Sequence, residues 1–251
     1  MKMSNKGFYF QGFVFRPTLW LTVFTVLCAI FIFGLAFWQV ERLKWKDAAI
    51  NERVSRSESA PIPLPLADSD LVGFEFNRTQ ATGEFLHDEE LYLAARSMRG
   101  NVGYHVVTPL VMDDGTTILV NRGWVPNALH LPENRPGVEA SGVVSVEGII
   151  RTPSVPGAFV PDNRPDENFW LYVDIPAMTQ AAELSNVLPY YIEAGGQENP
   201  GGYPIGGQSR IYLPNDHLQY AITWFALGLI LLVIYVIYCT TRREPDDDGP
   251  S

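Results

Sequence analysis

His217 carries the clearest chemistry in this sequence. It lies in Leu213-Pro214-Asn215-Asp216-His217-Leu218-Gln219-Tyr220, and a 24-residue run without charge, Leu218 to Thr241, begins at the next residue. This places an imidazole at the lip of a membrane, half wet and half against hydrocarbon, where ionisable groups are costly and tend to be functional. A helix-capping or interfacial histidine would occupy the same position. Tyr220, Ala221 and Trp224 follow three, four and seven residues on, which on a helix is the same face. An imidazole, a small gap at Ala221 and two flanking aromatics suit a flat, metal-bearing ring. Neutral imidazole is a good axial ligand for such a ring's iron.

No catalytic set accompanies it. There is no Gly-x-Ser-x-Gly elbow, no His-Glu-x-x-His and no phosphate-cradling loop. His87, His105 and His130 stand alone in strand or loop contexts and read as structural. Asp88-Glu89-Glu90 reads as a solvated run at a turn rather than a carboxylate pair for acid–base work. Cys28 and Cys239 both fall inside charge-free runs, so the region between has neither disulfide, thiolate metal site nor cysteine nucleophile. The chain is read as a non-enzyme.

The elements that must position His217 are membrane spans. Pro17 to Val40 is a second charge-free run, and Leu19 to Trp38 within it matches a hydrocarbon core of roughly 30 Å at about 1.5 Å per residue. It ends in Phe37-Trp38-Gln39 rather than small residues, so it reads as a retained span and not a cleaved signal. Two spans put both tails on one side of the membrane. The region between them holds 13 basic and 24 acidic residues, a balance of −11 within a whole-chain charge of −10. That argues against nucleic acid and against an anionic lipid surface as partner. Basic residues flank the spans on both sides, so the positive-inside rule gives a tie.

Within that region, Val40, Leu43, Asp47, Ile50 and Val54 recur at helical steps, giving a stalk over 40–57 that leans an apolar edge on the domain or the head-groups. Ala60-Pro61-Ile62-Pro63-Leu64-Pro65-Leu66 stops it as a stiff connector. Strand patterns follow at Phe74–Phe85, Leu91–Arg96, Gly103–Met112, Thr116–Asn121, Val143–Arg151, Phe169–Val173 and Tyr190–Ala194. Asp113-Asp114-Gly115 marks a hairpin, and Asp174 caps a short helix near Pro176–Leu184. The fold class is α+β: two transmembrane helices flank one mainly-β extramembrane domain, a small barrel or sandwich. The expected boundaries are a tail at 1–17, a span at 18–39, the domain at 40–216, a span at 217–240 and an acidic tail at 241–251, its end Pro245–Ser251 disordered.

Six segments are distinctive: Trp38-Gln39-x-x-Arg42-x-x-Trp45-Lys46, Gly103-Tyr104-His105-Val106-Val107-Thr108-Pro109-Leu110, Leu119-Val120-Asn121-Arg122-Gly123-Trp124-Val125-Pro126, Pro161-Asp162-Asn163-x-Pro165, Pro204-Ile205-Gly206-Gly207-Gln208, and the segment around His217. On its own, Arg122 beside Trp124 reads as structural, its guanidinium stacked on an aromatic face. In register from Leu35 to about Phe225, the six segments resemble the surfeit locus protein 1 family of cytochrome c oxidase assembly proteins. The resemblance implies an inner-membrane factor with cytoplasmic tails and the domain on the opposite, periplasmic face. It implies haem a as cofactor, with His217 as the ligand of the haem iron, oxidase subunit I as partner and haem A synthase as a further one. Trp38, Tyr220 and Trp224 would sandwich the macrocycle while Arg42 or Lys46 meets its propionates. The same aromatics also fit a membrane-interface belt. The family often has Asn before this histidine, where this chain has Asp216. The first tail has no Arg/Ser-rich presequence, which points to a bacterial inner membrane.

Overall fold

A computed structural model describes residues 8–10, 13–135, 142–153 and 155–242; the expected disordered end, Pro245–Ser251, lies outside them. In chain order the elements are β1 (Phe8–Phe10), β2 (Phe13–Phe15), α1 (Leu19–Glu58), β3 (Arg78–Phe85), β4 (Leu91–Met98), β5 (Asn101–Met112), β6 (Thr117–Pro126), β7 (Val143–Arg151), β8 (Phe169–Trp170), α2 (Ile175–Ala181), β9 (Val187–Ala194), α3 (His217–Cys239) and β10 (Thr240–Arg242). They form two compact units, Met1–Ala49 with Leu213–Ser251, and Ile50–Tyr212.

In the first unit α1 and α3 are each long and apolar enough to cross a membrane. Large apolar side chains such as Trp20, Phe24, Phe31 and Ile237 point outward from them. Helices apolar all round and yet uncovered fit a membrane protein. The tails carry structure that periodicity does not reveal. β2 pairs antiparallel with both β1 and β10, and Arg16 N donates to Cys239 O at 2.8 Å. Strands of three residues are too short to show a pattern, and β10 lies at the other end of the chain.

The second unit is the mainly-β domain. Its sheet order is β3-β7-β9-β6-β5-β4-β8, and β3 also pairs with β5, so five strands close into a barrel. Alternation fills it. Leu188, Tyr190 and Ile192 of β9, Ile118 and Val120 of β6, Ile150 of β7 and Leu110 of β5 form one buried cluster. Each fully buried side chain of this kind stabilises by roughly 1.5–3 kcal/mol. The proline-rich connector packs Ile62 and Leu64 against the same cluster, and Tyr190 donates its hydroxyl to Pro65 O at 2.7 Å. Burial pushes that hydroxyl's pKa up to about 12.

On the opposite face of the same strands Leu119, Tyr191 and Val107 join Leu91 and Leu93 of β4 in a second cluster, covered by Trp170 and by Ile175 and Met178 of α2. Asp174 caps α2 by accepting from Ala177 N at 3.1 Å.

Several expected elements shift. The first strand starts at Arg78 because Phe74–Asn77 turns: Phe76 has φ 69° and the Asn77 amide donates to Phe74 O at 3.1 Å. β6 outruns its expected end because Gly123, at φ 122°, carries the strand through Arg-Gly-Trp. β8 stops at Trp170 because Asn163 captures the next amides, Leu171 N at 2.8 Å and Tyr172 N at 3.4 Å. The end of α1 meets the barrel through arginines: Arg53 lies 4.8 Å over Phe76, and Arg56 donates to Gly73 O at 3.1 Å.

Candidate functional site

Two antiparallel helices build the site from small residues. Thr22 and Tyr235 share a hydrogen bond of 2.7 Å, Phe33 meets Phe225 edge-on at 5.5 Å, and His217 meets Gln39, so α3 descends as α1 climbs. Thr25, Ala29 and Ala36 of α1 and Ala221, Gly228 and Cys239 of α3 are the buried residues of the two helices. Small side chains let backbones approach where lipid supplies no hydrophobic drive. A Cβ at Gly228 would lie 2.7 Å from the Phe33 ring, so any larger residue there must displace that ring. Ala221 is part of the seam, and the gap expected beside a ring is closed by helix packing.

At the end of this pair His217 opens α3, and its Nδ1 lies 2.6 Å from Gln39 Oε1. An amide oxygen only accepts, so Nδ1 donates, and the tautomer this bond selects for a neutral ring keeps the lone pair on Nε2. That is how a ligating histidine is held: the nitrogen opposite the metal donates to a fixed carbonyl oxygen. Gln39 is the partner of His217 that sequence reasoning passed over, although it stands inside the Trp38-Gln39 segment. The preceding turn is fastened too. Lys46 donates to Pro214 O, and Asn215 donates to Asp47 at 2.6 Å. Asn215 makes this connection, while Asp216 at the N-cap has no side-chain cap bond.

The remaining expected residues line adjacent faces. Trp38 and Arg42 are one turn apart on α1, next to the Gln39 stripe, and the Arg42 guanidinium lies 4.1 Å over Trp45. Tyr220 and Trp224 are one turn apart on α3; Tyr220 is 56% exposed and Trp38 54%, while Trp224 is half-buried. Among the described residues these rings make no contact with one another or with His217. They form aromatic walls open to the surroundings rather than a closed sandwich. Lys46 is engaged by the Pro214 carbonyl. The described residues contain no cluster of His, Cys, Asp and Glu able to hold a metal ion.

The SURF1 family model matches residues 26–229, most of α1, the whole barrel and the first half of α3. The chain belongs to the SURF1 family. It is 40% identical over 219 residues to Surfeit locus protein 1 of Mus musculus, covering 81% of this chain and 71% of that one. It is 39% identical over 219 residues to the Homo sapiens protein of the same name, with 81% and 72% covered. A SURF1-like protein of Monosiga brevicollis is 38% identical over 216 residues, with 81% and 82% covered.

In this SURF1 chain the segments of the domain have structural work of their own. Arg122 is buried with its guanidinium 4.8 Å over Phe85, the stacking expected of it. It also pairs with Glu90 at 3.3 Å, and Arg135 pairs with the other carboxylate oxygen of Glu90. Glu90 is 6% exposed, so the reading of Asp88-Glu89-Glu90 as a solvated run holds only for its first two members. The carboxylate is buried because two guanidiniums meet it, an arrangement no local pattern announces. Tyr92 donates to the same carboxylate at 3.4 Å, and burial, then Glu90, raise its pKa. Gly123 lets the chain approach Ile205: Trp124 N donates to Ile205 O at 2.9 Å and Ile205 N to Trp124 O at 2.8 Å, joining two of the six segments. His130 stacks on Tyr104 at 4.9 Å, a packing role. His105 accepts at Nδ1 from the Asn121 amide at 3.1 Å and lines a cavity.

Proposed function

We propose that this chain is an assembly factor for cytochrome c oxidase, binding haem a at the membrane lip and assisting its delivery to or insertion into oxidase subunit I. The observation that carries this reading is the 2.6 Å bond between His217 Nδ1 and Gln39 Oε1, which would leave Nε2 to hold the haem iron at the end of a helix pair. Trp38, Tyr220 and Trp224 supply apolar, polarisable walls for a macrocycle, and Arg42 offers a cation to a propionate. An open site suits a cargo that must leave again. In this reading haem A synthase supplies the cargo, the tails are cytoplasmic, and the barrel lies on the periplasmic side of a bacterial inner membrane.

A second reading has one observation in its favour. The aromatics at the lip do not stack on His217, as expected of an interfacial belt, and the chain would then be a haem-free scaffold that holds an oxidase intermediate. The visible spectrum of the protein purified from cells that make haem A separates the two. Haem-a bands that co-purify stoichiometrically support delivery; a colourless protein that still restores oxidase assembly supports the scaffold.

A further inference from the structure

Four of the six distinctive segments take no part in the membrane-lip site, and all four converge on one cavity of about 410 Å³ on the outer face of the barrel. His105 comes from the first domain segment, Asn121 from the second and Gln208 from the last. Asn163 acts from behind the wall. Its side chain receives Leu171 N and Tyr172 N and donates to Tyr172 O at 3.2 Å, which fixes two lining residues. The volume lies within the range of small-molecule sites.

The wall is cationic although the region between the helices is strongly acidic. Arg96, Arg151 and Arg210 face the cavity, with Glu193 the one acidic residue among its described lining. Arg151 is neutralised by Glu193 at 3.3 Å and Glu75 at 3.4 Å. Arg96 donates to Leu171 O at 3.1 Å and forms no ion pair among the described residues, and neither does Arg210. Among the described residues neither guanidinium is tied up in an ion pair, and the carboxylate that acts on Arg96, Glu193, is already bonded to Arg151. A bulge aims the first of the two: β4 loses register between Leu93 and Arg96, and Ala95 adopts φ 54° to turn Arg96 into the cavity. A non-glycine residue at positive φ beside a bulge is a device for redirecting a side chain. His105 completes the donor set. Its Nδ1 accepts from Asn121, so Nε2 carries the proton. Burial first, then Arg96 and Arg210, hold its pKa down at about 4, which keeps the ring neutral and in that tautomer.

We propose that this cavity binds a small oxyanion, the phosphate or carboxylate group of a soluble metabolite or headgroup, between the Arg96 and Arg210 guanidiniums with His105 Nε2–H as a further donor. Planar guanidiniums bind both kinds of oxyanion bidentately.

The test is calorimetric titration of the full-length protein, in a maltoside detergent free of phosphate, with pyrophosphate and with citrate. Saturable one-to-one binding of at least one probe is expected. Arg210 is exposed, so Arg210→Gln should fold normally while weakening binding by about tenfold to a hundredfold. Glu193→Gln should tighten binding severalfold by removing the one carboxylate among the described lining while Glu75 keeps Arg151 in place, a gain that misfolding does not mimic. Arg164→Gln, an exposed arginine outside the lining, should change nothing. Competition by phosphatidylglycerol nanodiscs would assign the anion to a headgroup and its lack to a soluble molecule; both support the site. Absence of saturable binding by either probe, or unchanged affinity in Arg210→Gln, overturns it.

Discussion

Replacing Glu90 by Gln should be the most damaging single-atom change in the barrel. The substitution keeps the shape and one acceptor oxygen but removes the charge that Arg122 and Arg135 share, in a side chain 4% exposed against two that are 2% exposed. Breaking a buried pair from one side costs about 3–5 kcal/mol, because the remaining cation stays desolvated. Against a typical domain stability of about 5–15 kcal/mol this removes a large share. At a urea slope of about 2 kcal/mol per molar, the unfolding midpoint should fall by about 1.5–2.5 M. Near-ultraviolet dichroism of the full chain in detergent reads that midpoint. Glu89→Gln, one residue away and exposed, should stay within about 0.5 kcal/mol of the parent. If the two variants unfold at the same urea concentration, Glu90 is not the keystone of this cluster and its buried placement is wrong.

Four further outcomes follow from named contacts. Gly123→Ala should destabilise the barrel by roughly 2–3 kcal/mol, since φ 122° and the Ile205 carbonyl both exclude a Cβ; the same urea titration measures it. Gly228→Leu should push Phe33 aside and lower the yield of a cysteine cross-link placed at Thr22 and Tyr235 in a background lacking Cys28 and Cys239. For His105, facing Arg96, Arg210, Arg151, Tyr191 and Glu193, the unfolded chain binds a proton below pH 6.5 that the folded chain refuses until about 4. Stability therefore rises with pH across that window and is lost on acidification, by at most about 3 kcal/mol and less for a half-buried ring, and His105→Gln should flatten that slope. Gln39→Leu should release the His217 tautomer and weaken haem a binding by about 10- to 100-fold in a spectral titration.

The parts of the fold legible in the sequence are those written locally. Charge-free runs give the two helices, period-two alternation gives most strands, and Asp113-Asp114-Gly115 and Asp174 give a turn and a cap at their true positions. The closure of β3 onto β5 is not local, nor is the pairing of β2 with β10, because their partners lie far along the chain. At the lip, His217 stands out because an ionisable ring at that depth is rare. Gln39 does not, because a glutamine is unremarkable until a partner on another helix is known. Glu90 is misread for the same reason: its two arginines come from β6 and from a loop beyond it. The cavity is the extreme case, since its lining joins seven separate stretches of chain and depends on a bulge at an ordinary alanine.

The central claim is that His217 presents its Nε2 to haem iron, and a titration of haem a into the apo-protein in nanodiscs tests it most directly. With His217→Ala the high-affinity spectral change should vanish while insertion and the barrel's dichroism stay as in the parent, because a half-buried ring at a helix end contributes little to either core. His105→Ala, in the barrel wall, should leave the titration unchanged. Haem a binding with parental affinity by a folded, inserted His217→Ala protein would contradict the ligand assignment and leave the aromatics at the lip as a membrane belt.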